Sequence, residues 1–224
     1  MLVGKIMTPN PITVSPDTSH REAFELMRAH DISHLPVLDH GRLVGIVADD
    51  DLLSTQPSPA TTLSIYEIHA LLEKLKLSQF MAHPVLTVTE DCPVEAAARV
   101  MLDHNIGCLP VMRGEELVGI ITDVDIFKLL VEVLGGGREG IRLSVRVPDR
   151  LGQLAQSANA IAEAGGNIVG VVVWKDDDSP TSILTIKESG ADPEKLRQAL
   201  SRTDAQVVDL REDSVCQVRK FGKE

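Results

Sequence analysis

The chain has 224 residues, 43% hydrophobic and 25% charged, a balance that suits a globular protein able to bury a core. That length fits one large domain or two ordinary ones, and no run approaches the ~18 uninterrupted apolar residues that cross a bilayer. Net charge is −11 with Lys and Arg scattered, which argues against nucleic acid as a partner, since phosphate backbones need concentrated positive charge.

The first 14 residues carry one lysine and no long apolar run ahead of the prolines. They do not read as a secretory signal, so a cytoplasmic location is expected. Cys92, Cys108 and Cys216 lack any C-x-x-C spacing, which argues against a zinc knuckle or a disulfide framework. No H-x-x-x-H pair or His/Cys cluster is present, and no metal site is expected.

The organising feature is an internal repeat. Shifting the sequence by 74 positions aligns residues 7–53 with 81–127 without a gap, and 17 of those 47 positions are identical. Met7/Met81, Ala23/Ala97, Met27/Met101, His30/His104 and Gly45/Gly119 are among them. Each copy reads as a short extended stretch (12–14; 86–88), a helix (19–30; 93–104), two strands (35–38 and 43–48; 109–112 and 117–122) and a second helix from Asp49 or Asp123. So few strands and helices cannot bury both faces alone, so two copies packed about a pseudo-two-fold axis are the expected unit.

Residues 54–60 (STQPSPA) read as a linker, and 61–77 as a docked connector helix with Leu63, Ile65, Ile68, Leu72 and Leu75 on one side. Three glycines, 135–137, end the pair as a flexible joint. Beyond them, strand 141–147, helix 151–164, strands 167–174 and 181–186, helix 193–200 and strand 206–210 give βαββαβ, a ferredoxin-like order. Asp176, Asp177 and Asp178 read as a solvated turn. The expected division is 1–60 for module one, 61–77 for the helical linker, 78–134 for module two, 135–140 for the hinge, 141–211 for the βαββαβ domain and 212–224 for a polar tail. The fold class is α+β.

The duplicated module resembles the CBS domain, named after cystathionine β-synthase. Its G-h-h-[ST]-x-x-D signature, with h apolar, is complete in the second copy as GIITDVD (119–125). In the first it is GIVADDD (45–51), with Ala48 in place of the hydroxyl residue. A Pro-Val pair stands nine residues before the glycine in both copies. Residues 141–210 resemble the ACT domain, with VPDRLGQLAQSANAIAEAGGNI fitting its strand-to-helix signature. The order CBS-CBS-ACT is similar to the acetoin-utilisation AcuB type.

These resemblances imply a regulatory protein that binds an adenosine nucleotide (AMP, ADP or ATP) in clefts between the CBS copies. The motif Asp125, and Asp51 in copy one, would take the ribose hydroxyls, because an ionised carboxylate is a pure acceptor. Thr122, with Asp123 and free N–H groups at the helix start, would lie near phosphate. Main-chain groups at Leu109-Pro110 and His83-Pro84-Val85 would read the adenine edge, with Leu35, Pro36 and Pro11 their counterparts around the other copy. Without a hydroxyl at Ala48, the Asp51 site is expected to be the weaker. The competing reading of Thr122-x-x-Asp125 is a capping box.

In the ACT region, Asp149 is read as a helix N-cap and Gly152 as a first-turn residue held by a close approach. Asp149, Arg150, Leu151, Gly152 and Asn167 are the candidate effector residues, with packing and turn formation as the alternative. A homodimer is expected, with a metabolic enzyme as a candidate partner. No G-x-S-x-G, Walker A loop or catalytic Cys/His arrangement is present, so the expectation is a sensor and not an enzyme. The rivals are a ligand-free scaffold and a regulatory enzyme subunit.

Overall fold

Ser19 sets the start of the first long helix. Its hydroxyl accepts the Glu22 N–H at 3.2 Å, and the Glu22 carboxylate accepts the Ser19 N–H at 2.7 Å, a reciprocal capping box. In the computed structural model, which describes residues 1–55, 64–175 and 179–212, this helix follows a two-residue strand, β1 (Thr8–Pro9). Helix α1 (His20–His30) ends at Asp31, whose φ of 53° is left-handed. Strands β2 (His34–Asp39) and β3 (Arg42–Ala48) pair antiparallel and lead into α2 (Asp49–Ser54). Ala23 and Met27, one turn apart, bury against Leu35, Val37, Val47, Leu52 and Leu77.

The connector helix is α3 (Ile65–Lys74), capped by Ser64 and Glu67. Most of the expected 54–60 linker, the start of the 61–77 helix, the 176–178 turn and the tail from 213, with Cys216, lie outside the described residues. The second copy repeats the first as β4 (Val88–Thr89), α4 (Val94–His104), β5 (Cys108–Arg113), β6 (Glu116–Thr122) and α5 (Asp123–Val133). Asn105, at φ 51°, ends α4 as Asp31 ends α1.

Each copy lends its leading segment to the other. β1 pairs antiparallel with β6, Thr8 opposite Ile120. The same step 74 residues on sets Ala82 opposite Ile46 of β3, with N–H to O distances of 2.8 and 3.1 Å. Met7 thereby lies over Gly119 and Met81 over Gly45. A Cβ on Gly45 would stand 2.8 Å from Met81 Cγ, and one on Gly119 3.1 Å from Met7 Cγ. This exchange gives a physical reason for the identity of both methionines and both glycines across the repeat.

The chain divides into two compact units, Met1–Phe127 and Lys128–Glu224. The second holds β7 (Ile141–Pro148), α6 (Gln153–Glu163), β8 (Asn167–Lys175), β9 (Thr181–Ser189), α7 (Pro193–Leu200) and β10 (Gln206–Arg211). Its sheet is antiparallel in the order β10-β7-β9-β8. Leu143, Val145, Leu184 and Ile186 pack against Ile161, Leu196 and Leu200 of the two helices. Glu188 is fully buried, and its two carboxylate oxygens accept the Ile141 and Ala191 N–H groups at 3.3 and 3.0 Å.

Within the glycine run, the first residue is packed. Gly135 is buried at φ 70°, and a Cβ there would meet Lys187 Cγ at 2.7 Å. Close packing against β9 and a left-handed backbone together account for this glycine.

Gly119→Ala should cost about 1–3 kcal/mol through overpacking, read as a lower urea midpoint. Adding Met7→Ala to that variant should return part of the loss, because the colliding side chain is gone. Fully additive losses would contradict the crossing.

Candidate functional site

A cavity of about 570 Å³ opens in the first unit where the two copies meet, within the size range of small-molecule sites. One wall is the end of β3 and the start of α2, with Ala48, Asp49, Asp50 and Asp51. A second part of the lining is the turn into β5, with Asn105, Ile106, Gly107 and Cys108, together with Pro110 and Asp123. Ser33 and His34 close one side, and Ala82, Pro84, Val85 and Leu86 another. A larger groove, about 720 Å³, runs between α1 and α3. Its Arg21 is paired with Glu25 and Glu73, which leaves a mainly apolar helix surface.

Asp51 is half-buried, and its Oδ2 accepts the Ala48 N–H at 2.9 Å. Its Oδ1 has no hydrogen bond among the described residues, so one carboxylate oxygen on the cavity wall remains for a ligand hydroxyl. His34 is half-buried, and desolvation lowers its pKa against the opposing pull of Asp49, Asp123, Asp51 and Asp50. Cys108 is buried, and its thiol is pushed up to about 12 by burial first and then by Asp123 and Asp51.

The sequence-derived residues regroup here. Asp51, Asp123, Pro84, Val85 and Pro110 line one cavity, whereas Thr122, Asp125, His83, Leu109, Leu35, Pro36 and Pro11 are not among its lining residues. Of the expected adenine-edge residues, Pro84, Val85 and Pro110 share a cavity with Asp51. Leu35 and Leu109 are fully buried core residues, while His83 is exposed. The Thr122 capping box is formed, with the Asp125 N–H on Thr122 Oγ1 at 3.3 Å and the Thr122 N–H on Asp125 Oδ2 at 2.9 Å. Asp51 makes the matching half of that box without a hydroxyl at Ala48. Among the described residues no group of three or more His, Cys, Asp or Glu could hold a metal, and no helix is long and apolar enough to cross a membrane.

Sequence reasoning missed Ser33, His34, Asp49, Asp50, Asn105, Ile106 and Cys108 as cavity residues. One signal was present: His34 and Cys108 are register mates in the repeat yet differ in chemistry.

In the ACT region the five candidate residues do not converge within one chain. Pro148 pairs with Thr181 at one end of β7, while Asn167 pairs with Ser189 at the other end of β9, level with Ile141. Asp149 and Asn167 therefore lie at opposite ends of the sheet. Asp149 is not the helix cap. Its carboxylate meets Lys175 and the Ser182 hydroxyl, and the Lys175 contact holds its pKa below the usual carboxylate range. Gly152 is the cap, at φ 89°, and a Cβ there would touch nothing within 4 Å. A left-handed backbone, not a close approach, is what this glycine supplies. Arg150 pairs with Asp204, and Leu151 is fully exposed.

Two consequences are measurable. Gly152→Ala should lose about 1–2 kcal/mol of stability in denaturant unfolding, and a neutral outcome would remove the conformational account. Cys108, with its thiol held protonated to about pH 12, should resist iodoacetamide at pH 8 in the native protein and react on unfolding, as peptide mass spectrometry reads. Rapid native alkylation would contradict that burial.

The comparisons with known proteins agree with this architecture. The CBS domain matches residues 3–57 and 77–132, and the ACT domain matches 141–205. The chain is 34% identical over 160 residues to the uncharacterized protein MJ1404 of Methanocaldococcus jannaschii, covering 69% of this chain and only 38% of that protein. It is 33% identical over 136 residues to a CBS domain-containing protein of Dictyostelium discoideum, covering 60% of this chain and 94% of that one. Homoserine O-acetyltransferases of methanogens also match, over 23–24% of their length. Among solved structures, an acetoin utilization protein (AcuB) from Vibrio cholerae is 34% identical, covers 60% of this chain and 93% of that chain, and superposes with a TM-score of 0.51. The CBS pair of MJ0100, crystallised with 5′-methylthioadenosine and S-adenosyl-L-methionine, is 32% identical over 58% of this chain and 95% of that chain, at a TM-score of 0.48. CBSX2, crystallised with AMP, is 32% identical over 59% and 97%, also at 0.48. With its gapless duplication, its exchanged leading segments and its βαββαβ unit, this chain belongs to the CBS-domain family, as a CBS pair followed by a C-terminal ACT domain.

Proposed function

We propose that the chain is a non-catalytic sensor, with an adenosine compound held in the cleft between the CBS copies. The observation that carries this reading is Asp51, a half-buried carboxylate on the cleft wall with one oxygen engaged at the helix start and the other unbonded among the described residues. A cis-diol is matched by such an acceptor. Main-chain groups around Pro84, Val85 and Pro110 then face the base. The expectation of a stronger Thr122/Asp125 site shifts accordingly, since the described cavity belongs to Asp51.

The ACT domain supplies self-association in this reading. β8 is an edge strand of its sheet, and Val173 and Trp174 on it are 55% and 68% exposed, an unprotected edge suited to a second copy. A metabolic enzyme as the downstream partner, and acetoin or related carbon metabolism as the setting, complete the proposal on the AcuB likeness. A ligand-free homodimeric scaffold is the second reading, favoured by the fact that helix capping alone occupies one oxygen of both Asp51 and Asp125.

Isothermal titration of adenosine and its 5′-phosphates into the wild type, Asp51→Asn and Asp125→Asn separates the readings. Asparagine retains an acceptor for the Ala48 N–H, so folding is preserved while the ribose contact is lost. Binding should weaken at least ~10-fold in Asp51→Asn, the equivalent of about 1.5–3 kcal/mol. Equal affinity in Asp51→Asn would contradict the assignment, and no binding of any adenosine compound would leave the scaffold.

A further inference from the structure

The cleft is lined by four carboxylates and, among the described residues, by no Lys or Arg. Asp49, Asp50 and Asp51 come from the start of α2, and Asp123 from the start of α5. Backbone N–H groups at helix starts are the usual resource for holding a phosphate, and here those of Asp49, Asp50, Asp123 and Val124 are already engaged. The Asp49 and Asp123 N–H groups donate to Ser33 O and Gly107 O at 3.0 and 2.9 Å. The Asp50 N–H donates to Asp49 Oδ1 at 3.0 Å, and the Val124 N–H to Asp123 Oδ1 at 2.7 Å. Ala48 and Thr122 donate to the carboxylates of Asp51 and Asp125.

Cys108 lines the same cavity. It is only 7% exposed, and its thiol lines the cleft with no hydrogen bond among the described residues. Asp123 and Asp51 both reinforce the protonated form that burial already favours. The interior, with four carboxylates and no Lys or Arg among its lining residues, is thus a region of negative potential, a poor setting for phosphate and a favourable one for positive charge.

We infer that this cleft selects an adenine nucleoside whose 5′ substituent is neutral or positively charged, and discriminates against adenosine 5′-phosphates. The inference rests on the cleft being the adenosine site and specifies its ligand class.

The test uses the full chain in low salt with EDTA, so that no divalent ion bridges phosphate and carboxylate. Three probes differ only at the 5′ position: 5′-amino-5′-deoxyadenosine, adenosine and AMP. Titration calorimetry should rank them in that order of affinity, with AMP at least ~10-fold weaker than adenosine and the gap narrowing as salt screens the carboxylates. The double variant Asp50→Asn/Asp123→Asn keeps an amide oxygen at position 123 that can still accept the Val124 N–H. Measured against its own affinity for adenosine, it should close most of the AMP gap. AMP binding as tightly as adenosine in the wild type, or an unchanged gap in the double variant, would overturn the selection while leaving the adenosine site intact. If none of the three binds, the adenosine site itself falls.

Discussion

Everything in the first unit depends on the passage of each leading segment over the motif glycine of the other copy. Met7 crosses Gly119 and Met81 crosses Gly45, with room for a hydrogen on those α-carbons and for nothing larger. Because β1 completes the sheet of the second copy, and Ala82 bridges β3 of the first, neither half is whole without the other. The same crossing brings Pro84 and Val85 into the cleft that Asp51 lines. The cleft is a by-product of the exchange.

The chemistry of that cleft follows from how α2 and α5 begin. Their acidic first turns complement the helix dipoles, and their carboxylates engage some of the backbone donors that an anion would otherwise use. One consequence is stability of the helix starts. The other is a negatively biased pocket in which Asp51 retains one open acceptor. Capping and recognition are not exclusive here, since a carboxylate has two oxygens and the cap engages one.

Much of the fold was legible in the sequence because repetition and periodicity are local signals. The 74-residue register located both helices, both strand pairs and both motif aspartates, and the βαββαβ order of the C-terminal region followed from alternation and turn residues. The site was only partly legible, for a physical reason. The cleft is assembled from segments near residues 34, 50, 84 and 107, and no spacing rule tells which leading segment crosses to which copy. That is why the grouping of Pro84 and Val85 with Asp51 was not legible. His34 and Cys108 were overlooked for the same reason. The role of Gly152 was also misjudged, because a residue type cannot distinguish a left-handed backbone in open space, as at Gly152, from one that is also tightly packed, as at Gly135.

Regulation by such a site requires that ligand affinity differ between two arrangements of the copies, and the exchanged segments are the elements whose positions a ligand in this cleft would touch directly through Pro84 and Val85. The most direct test of the central claim is a crystal structure of the chain grown with adenosine. The account requires the ribose hydroxyls within hydrogen-bonding reach of Asp51 Oδ1, with the base held between the Pro84-Val85 segment and the Ile106–Cys108 turn. Adenosine bound elsewhere on the chain, with Asp51 capping its helix beside an unfilled cleft, would contradict it.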